Sequence, residues 1–271
     1  KFVASFGKRG QGPKELLSAE TFHFHSPDSI WILDANKMQI TRWRVSCKDE
    51  PYMPEEVVYL DKSLIRVLDF YVTEEGFVVP DYSGQHRFHL LDRQGRSVAS
   101  KGHIPSELAA TKSASPALAQ AWRSFIDYAP RSDVWAMVTQ LGEVLEIYHP
   151  DDSIPLIFYG PAGEPAFREV EGEGIPTGIM GFSDIQITDS YIYAVFHGRS
   201  FKDILRIYQR GGKREDGGRF IYVFDLEGNP VRKYQLDQAV YGIDVHEELN
   251  VIFATDVNHD QPLLIYNMLS R

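Results

Sequence analysis

The chain has 271 residues, 43% hydrophobic, 13% aromatic and 24% charged, which supplies a large buried core and excludes a disordered chain. Thirty-eight acidic against 28 basic residues give a formal net charge of −10; that charge repels phosphate backbones and argues against a nucleic-acid partner. Cys47 is the single cysteine, so an internal disulfide and a cysteine-based zinc cluster are both excluded, and no apolar run is long enough for a membrane-spanning helix.

Lys1–Gly7 alternates Phe2, Ala4 and Phe6 against Val3 and Ser5 and is predicted as a strand. Lys8–Pro13 is a turn, because Gly and Pro punctuate regular structure. A first set of strands follows at Glu20–Phe24, Ser29–Leu33, Gln39–Val45 and Glu56–Leu60, and a second at Ile65–Val72, Gly76–Val79, Arg87–Leu91 and Ser97–Lys101. Ser106–Phe125 breaks the pattern. Ser115 before Pro116 is a helix start, and Leu118, Ala121, Trp122 and Phe125 fall on one helical face. The third set comprises Phe125–Tyr128, Val134–Val138, Val144–Tyr148 and Leu156–Tyr159. Gly160–Pro176 is then expected to be a loop rich in Gly, Pro and Glu.

A fourth set opens at Gly181–Thr188 and Tyr191–Phe196, is interrupted from Gly198 to Gly218, and resumes at Phe220–Phe224 and Val231–Leu236. Ser200 is placed to cap a short helix with Phe201, Ile204, Leu205 and Tyr208 on one face. This insertion is a basic island, with Arg199, Lys202, Arg206, Arg210, Lys213 and Arg214. The last set has three strands: Val240–Val245, Asn250–Ala254 and Leu263–Asn267.

Repeated four-strand units indicate an all-β protein, a β-propeller of four-stranded blades with two short helical insertions. Five blades are readable. Lys1–Gly7 is expected to supply the missing outer strand of the last blade and so close the ring, which would remove open sheet edges. The chain is expected to be a single propeller domain over residues 1–271 and a monomer.

The first strands align on one carboxylate: Asp69, Asp127, Asp184 and Asp244, with Glu20 in the first set, at spacings of 49, 58, 57 and 60. A second position, at the end of the second strand, carries Asp34, Asp81 and Asp256, with His197 and Thr139 in the other sets. Both positions are expected at one end of the blades. As a functional feature, the acids form a ring for a cation, an amine or a basic partner loop. As a structural one, each accepts backbone hydrogen bonds at a turn, which is the commoner use of repeated aspartates.

Four strings then carry a family resemblance: FGKRGQGPKE at Phe6–Glu15, VTQLGEVLEIYHPD at Val138–Asp151, GFSDIQITDSYIYAVFHGRS at Gly181–Ser200 and YVFDLEGNPVRKYQLD at Tyr222–Asp237. In order along the chain, they resemble the TolB-like six-bladed propeller proteins of Bacteroidetes. FGKRGQGP also resembles the opening of an NHL-type repeat. The resemblance implies an exported protein or lipoprotein, periplasmic or at the cell surface, and most members have no assigned activity. Members have more chain before the FG-x-x-GQGP motif, which implies six-bladed ancestry with an incomplete first blade; closure with five blades stays open beside it.

Catalytic motifs are sparse. His23 and His25 alternate along one strand as half a metal site without a visible third ligand, and His86 and His89 are spaced less favourably. No G-x-S-x-G elbow occurs. SPDSIW at Ser26–Trp31 resembles a sialidase Asp-box but lacks its glycine. GPAGEP at Gly160–Pro165 is a turn and not a nucleotide motif. Tyr82, Tyr191 and Tyr193 are candidates for stacking on sugars, against ordinary blade packing.

The leading expectation is a non-catalytic module that binds a protein or glycan through Asp69, Asp127, Asp184 and Asp244, with Arg199 at the rim. A carbohydrate-active hydrolase or lyase using the same carboxylates, and a structural propeller holding calcium, are the alternatives. No other cofactor is expected.

Overall fold

Runs of Val, Ile, Phe and Trp between Gly, Asp and Asn turns become strands throughout the chain. The computed structural model describes all residues except 1–4, 13–14, 46–51, 112–115, 151, 153, 213–214 and 269–271. It divides into two units, Lys1–His103 and Ile104–Arg271.

In the first unit, β1 (Lys8–Arg9) pairs in parallel with β2 (Glu15–Leu16). Next, β3 (Ala19–Ser26), β4 (Ser29–Asp34), β5 (Gln39–Arg44) and β6 (Met53–Tyr59) form an antiparallel meander in chain order. A second meander comprises β7 (Tyr71–Val72), β8 (Gly76–Pro80), β9 (Phe88–Asp92) and β10 (Ser97–Lys101). All of β4 is buried, and its period of two divides its side chains between two cores. Trp31 and Leu33 join Ile40, Phe70, Phe77 and Val79 between the sheets. Ile30 and Ile32 join Trp43 on the other face, with Phe6 and Leu16 against them.

Two expectations change here. Lys1–Ala4 of the expected closing strand lie outside the described residues. Ser5–Gly7 have no strand structure; instead, Phe6 stacks on Tyr52 at 4.9 Å and meets Trp43 at 5.6 Å, a burial of aromatic surface that a ladder position would forgo. The predicted strand Ile65–Val72 shrinks to Tyr71–Val72, because Arg66 has a positive φ of 50° that breaks extended pairing.

The second unit opens with α1 (Glu107–Thr111) and α2 (Pro116–Ala121). Pro116 does begin a helix, and Leu118, Ala121 and Trp122 are buried; Ser115, its expected cap, lies outside the described residues. Then β11 (Ser124–Ala129), β12 (Val134–Thr139), β13 (Val144–Tyr148) and β14 (Leu156–Tyr159) form a meander. The expected loop Gly160–Pro176 contains a hairpin, β15 (Phe167–Val170) and β16 (Glu173–Pro176). Its two-residue turn, Glu171-Gly172, has both φ values positive, at 53° and 84°, as a tight hairpin turn with right-handed twist requires. The hairpin packs on α2, where a side chain at Gly174 would meet the Ala117 carbonyl at 2.4 Å.

The fourth sheet contains β17 (Phe182–Ile187) and β18 (Tyr191–Phe196), then, after α3 (Phe201–Gln209), β19 (Gly218–Asp225) and β20 (Pro230–Val240). The last sheet, with β21 (Gly242–His246), β22 (Val251–Thr255) and β23 (Leu263–Asn267), has three strands among the described residues. Ala136, Val138, Leu145 and Ile147 pack against Ile185, Ile192 and Ala194; Val195, Ile221 and Val223 pack against Val245, Ile252 and Ala254. Successive sheets in this unit thus stack face to face.

Candidate functional site

The first strands of the three sheets in the second unit, β11, β17 and β21, lie side by side. Polar side chains stitch them together. Ile187 N–H donates to Asp127 Oδ2 at 2.7 Å, and Ile243 N–H to Asp184 Oδ2 at 2.7 Å. Val245 N–H donates to Gln186 Oε1, and Ser183 Oγ donates to the Tyr241 carbonyl at 2.8 Å. Each bond satisfies, from one sheet, a backbone group on the next.

The hairpin that closes each sheet fixes the register. Asp127 and Asp244 each lie two residues before the closing pair, Ala129 with Val134 and His246 with Val251. Thr188 N–H bonds the Tyr191 carbonyl at 2.8 Å, so the equivalent residue of β17 is Gln186, not Asp184. Asp184 stands two residues earlier, on the same face of the strand. Asp69 has that earlier register too, because Thr73 pairs with Gly76; its Oδ1 accepts the N–H of Phe70 at 2.9 Å.

Asp244 differs from its equivalents. It receives Gln186 Nε2 at 3.4 Å and His246 Nε2 at 3.2 Å, and its side chain is 63% exposed. Opposite it on β22 stands Phe253, itself exposed, whose ring meets the His246 imidazole edge-on at 5.6 Å. A carboxylate, an imidazole and an aromatic ring therefore share one open face.

In the first unit, His23 holds the register position of Asp127, paired with Trp31 two residues from the Ser26–Ser29 closure. Its ring packs on Phe70 and Tyr71 at 4.9 and 5.3 Å. Burial lowers its pKa to about 4, against a hydrogen bond with the Phe70 backbone that favours the charged form. His25 is exposed beside a bulge. Among the described residues, no group of three or more His, Cys, Asp or Glu side chains is arranged to hold a metal ion.

The second acidic position caps turns. Asp34 accepts the N–H groups of Leu17, Ser18 and Lys37. Asp81 accepts those of Ser83, Gln85 and His86, and lies 3.2 Å from His89 Nε2. Burial would raise the Asp81 pKa, but bonds from His89, Ser83 and His86 outweigh it and hold the carboxyl well below its ordinary range. Asp256 accepts from Asn258 and His259. Asp127 and Asp244 sit at mid-strand, whereas Ala19, next to Glu20, pairs with Asp34, so the two acidic positions share one end in the first sheet but not in the last.

Arg199 stands at the neck of the α3 insertion. Its Nη2 lies 2.9 Å from Glu215 Oε2, and Arg219 holds the other oxygen at 2.9 Å. Hydrogen bonds from Arg219, then Arg199, depress the Glu215 pKa despite partial burial. Ser200 caps α3: its Oγ accepts Asp203 N–H at 3.0 Å. Lys213 and Arg214 lie outside the described residues. The sequence pattern missed Gln186 and Glu247. Glu247 Oε1 accepts Thr188 Oγ1 at 2.7 Å and Tyr193 OH at 3.0 Å; burial, then this carboxylate, raises the Tyr193 pKa. Nearly equal spacings of 59 and 58 from Asp127 to Gln186 to Asp244 were the available signal for the glutamine.

Four-stranded antiparallel meanders stacked face to face are propeller blades. Residues 1–248 match the TolB-like 6-blade propeller-like family, and the chain belongs to it. No curated protein matches the sequence. Among solved structures, Sqt1 of Saccharomyces cerevisiae is similar at 10% identity and a TM-score of 0.51, over 94% of this chain and 60% of that one. A chain of the mitotic checkpoint complex is similar at 11% identity and a TM-score of 0.51, over 90% and 60%. The protein thus spans about 60% of the length of either structure, and likeness at this identity speaks for the fold alone.

Proposed function

We propose that the protein is a non-catalytic binding module of an exported or cell-envelope protein, taking a protein or glycan partner at the open face around Asp244. One observation carries the reading: Asp244 is the exposed member of a register whose other members, Asp127 and Gln186, accept backbone N–H groups from the next strand. It offers the same acceptor to a ligand's N–H or O–H, with Phe253 as an apolar platform beside it. Asp184 borders it on the neighbouring strand β17, and Asp127 lies one strand further, on β11. Asp69 and Arg199 are engaged by Phe70 and Glu215, so the ligand contact is assigned to Asp244 first.

The TolB-like family is typically periplasmic, which supports export. Calcium has no part in this reading, so adding calcium or EDTA should leave the melting temperature unchanged; a rise with calcium would favour an ion among the acids instead.

The test is retention of partners from a cell-envelope fraction, together with a glycan array, on the wild type and on Asp244→Asn. A partner retained by the wild type and lost by the variant supports the proposal. Equal retention by both, or turnover of an arrayed glycan, overturns it.

A further inference from the structure

Helix α3 has nine residues and none of them is buried. Its apolar face is nonetheless well formed: Phe201, Ile204, Leu205 and Tyr208 recur at helical spacing. Phe201 touches the core beside Trp122 and Leu141, while Leu205 and Tyr208 are 55% and 72% exposed. Around this face basic side chains outnumber acidic ones. Residues 199 to 214 contain six basic side chains and one acid, Asp203, on a chain whose net charge is −10. Arg199 and Arg206 are paired, with Glu215 and Asp203; Lys202 and Arg210 are exposed beside the apolar stripe.

We infer that α3 docks the protein on an anionic lipid bilayer, lying in the plane of the interface. A short helix with exposed Leu and Tyr on one side and Lys and Arg on the other fits a headgroup boundary, where apolar side chains enter and cations meet lipid phosphates. Its size decides against a protein partner. Nine residues span about 13 Å, and two exposed apolar side chains fall far short of the roughly 800 Å² per side that a stable protein interface buries. A bilayer needs no matching shape, and each basic residue near an anionic surface adds roughly fivefold to partitioning. The contact is independent of ligand capture at Asp244.

The experiment is cosedimentation of the chain with vesicles of phosphatidylcholine alone or containing phosphatidylglycerol, at low and high salt. The wild type should sediment with phosphatidylglycerol vesicles only, and less at high salt. Lys202→Glu with Arg210→Glu should abolish binding, and Leu205→Ser with Tyr208→Ser should weaken it at least tenfold. All altered side chains are exposed, and unchanged circular dichroism spectra and melting curves would verify folding. Wild-type failure to bind anionic vesicles overturns the inference. So does binding that survives both double substitutions, or equal binding to polyglutamate that ignores Leu205 and Tyr208, which would mark an acidic protein as the partner.

Discussion

Asp127 is half-buried and accepts a backbone N–H from the next sheet. Truncating it leaves that donor stranded, so Asp127→Ala should cost about 1–3 kcal/mol in urea unfolding. Asp244→Ala, at an exposed carboxylate, should stay within about 0.5 kcal/mol of wild type. His23 carries the acid sensitivity. Its folded pKa lies below the unfolded value near 6.5. The unfolded chain therefore takes up the proton first, and stability is full above pH 6.5 and falls as pH drops toward 4. The loss should be on the order of 2 kcal/mol, and His23→Leu should flatten it in unfolding curves measured across that window. Asp81 has a depressed pKa as well, so its contribution holds above the ordinary carboxylate range and is lost only at lower pH. Asp34, Asp81 and Asp256 could be read from sequence because they repeat at strand ends ahead of turns. The shared register position of His23 and Gln186 was harder to read, because it comes from pairing across sheets and not from residue type, and only the spacing signalled Gln186.

Elements with a local cause were the most legible. Ser200 before Phe201, Ile204, Leu205 and Tyr208 specifies α3, and the cap forms as expected. Ser200→Ala should weaken the helix by about 1 kcal/mol, seen as faster amide exchange in Phe201–Gln209 and little change in global unfolding. The β15–β16 hairpin was hidden because Glu171-Gly172 lacks the Asn or Asp that usually marks such a turn. The strand before β8 was overextended because nothing in the residue type at Arg66 announces a positive φ. Gly181 shows the long-range part of the code: a side chain there would meet the Gly142 carbonyl at 2.3 Å, a close approach between distant segments that only the packed sheets reveal.

For the whole molecule, the four-strand repeat carried the fold class and the family match confirms it. The carboxylate repeat carried less. It located an inner-strand row in the second unit, but most of that row joins sheets to one another. The central claim is a division of labour, with Asp127 and Asp184 holding sheets together and Asp244 facing a ligand. Its most direct test measures urea stability and affinity for the captured partner in parallel, for Asp127→Asn, Asp184→Asn and Asp244→Asn. The account predicts that the first two lose stability and keep affinity, whereas Asp244→Asn keeps stability and loses at least tenfold in affinity. Unchanged affinity in Asp244→Asn, or a stability loss there as large as in Asp127→Asn, would contradict it.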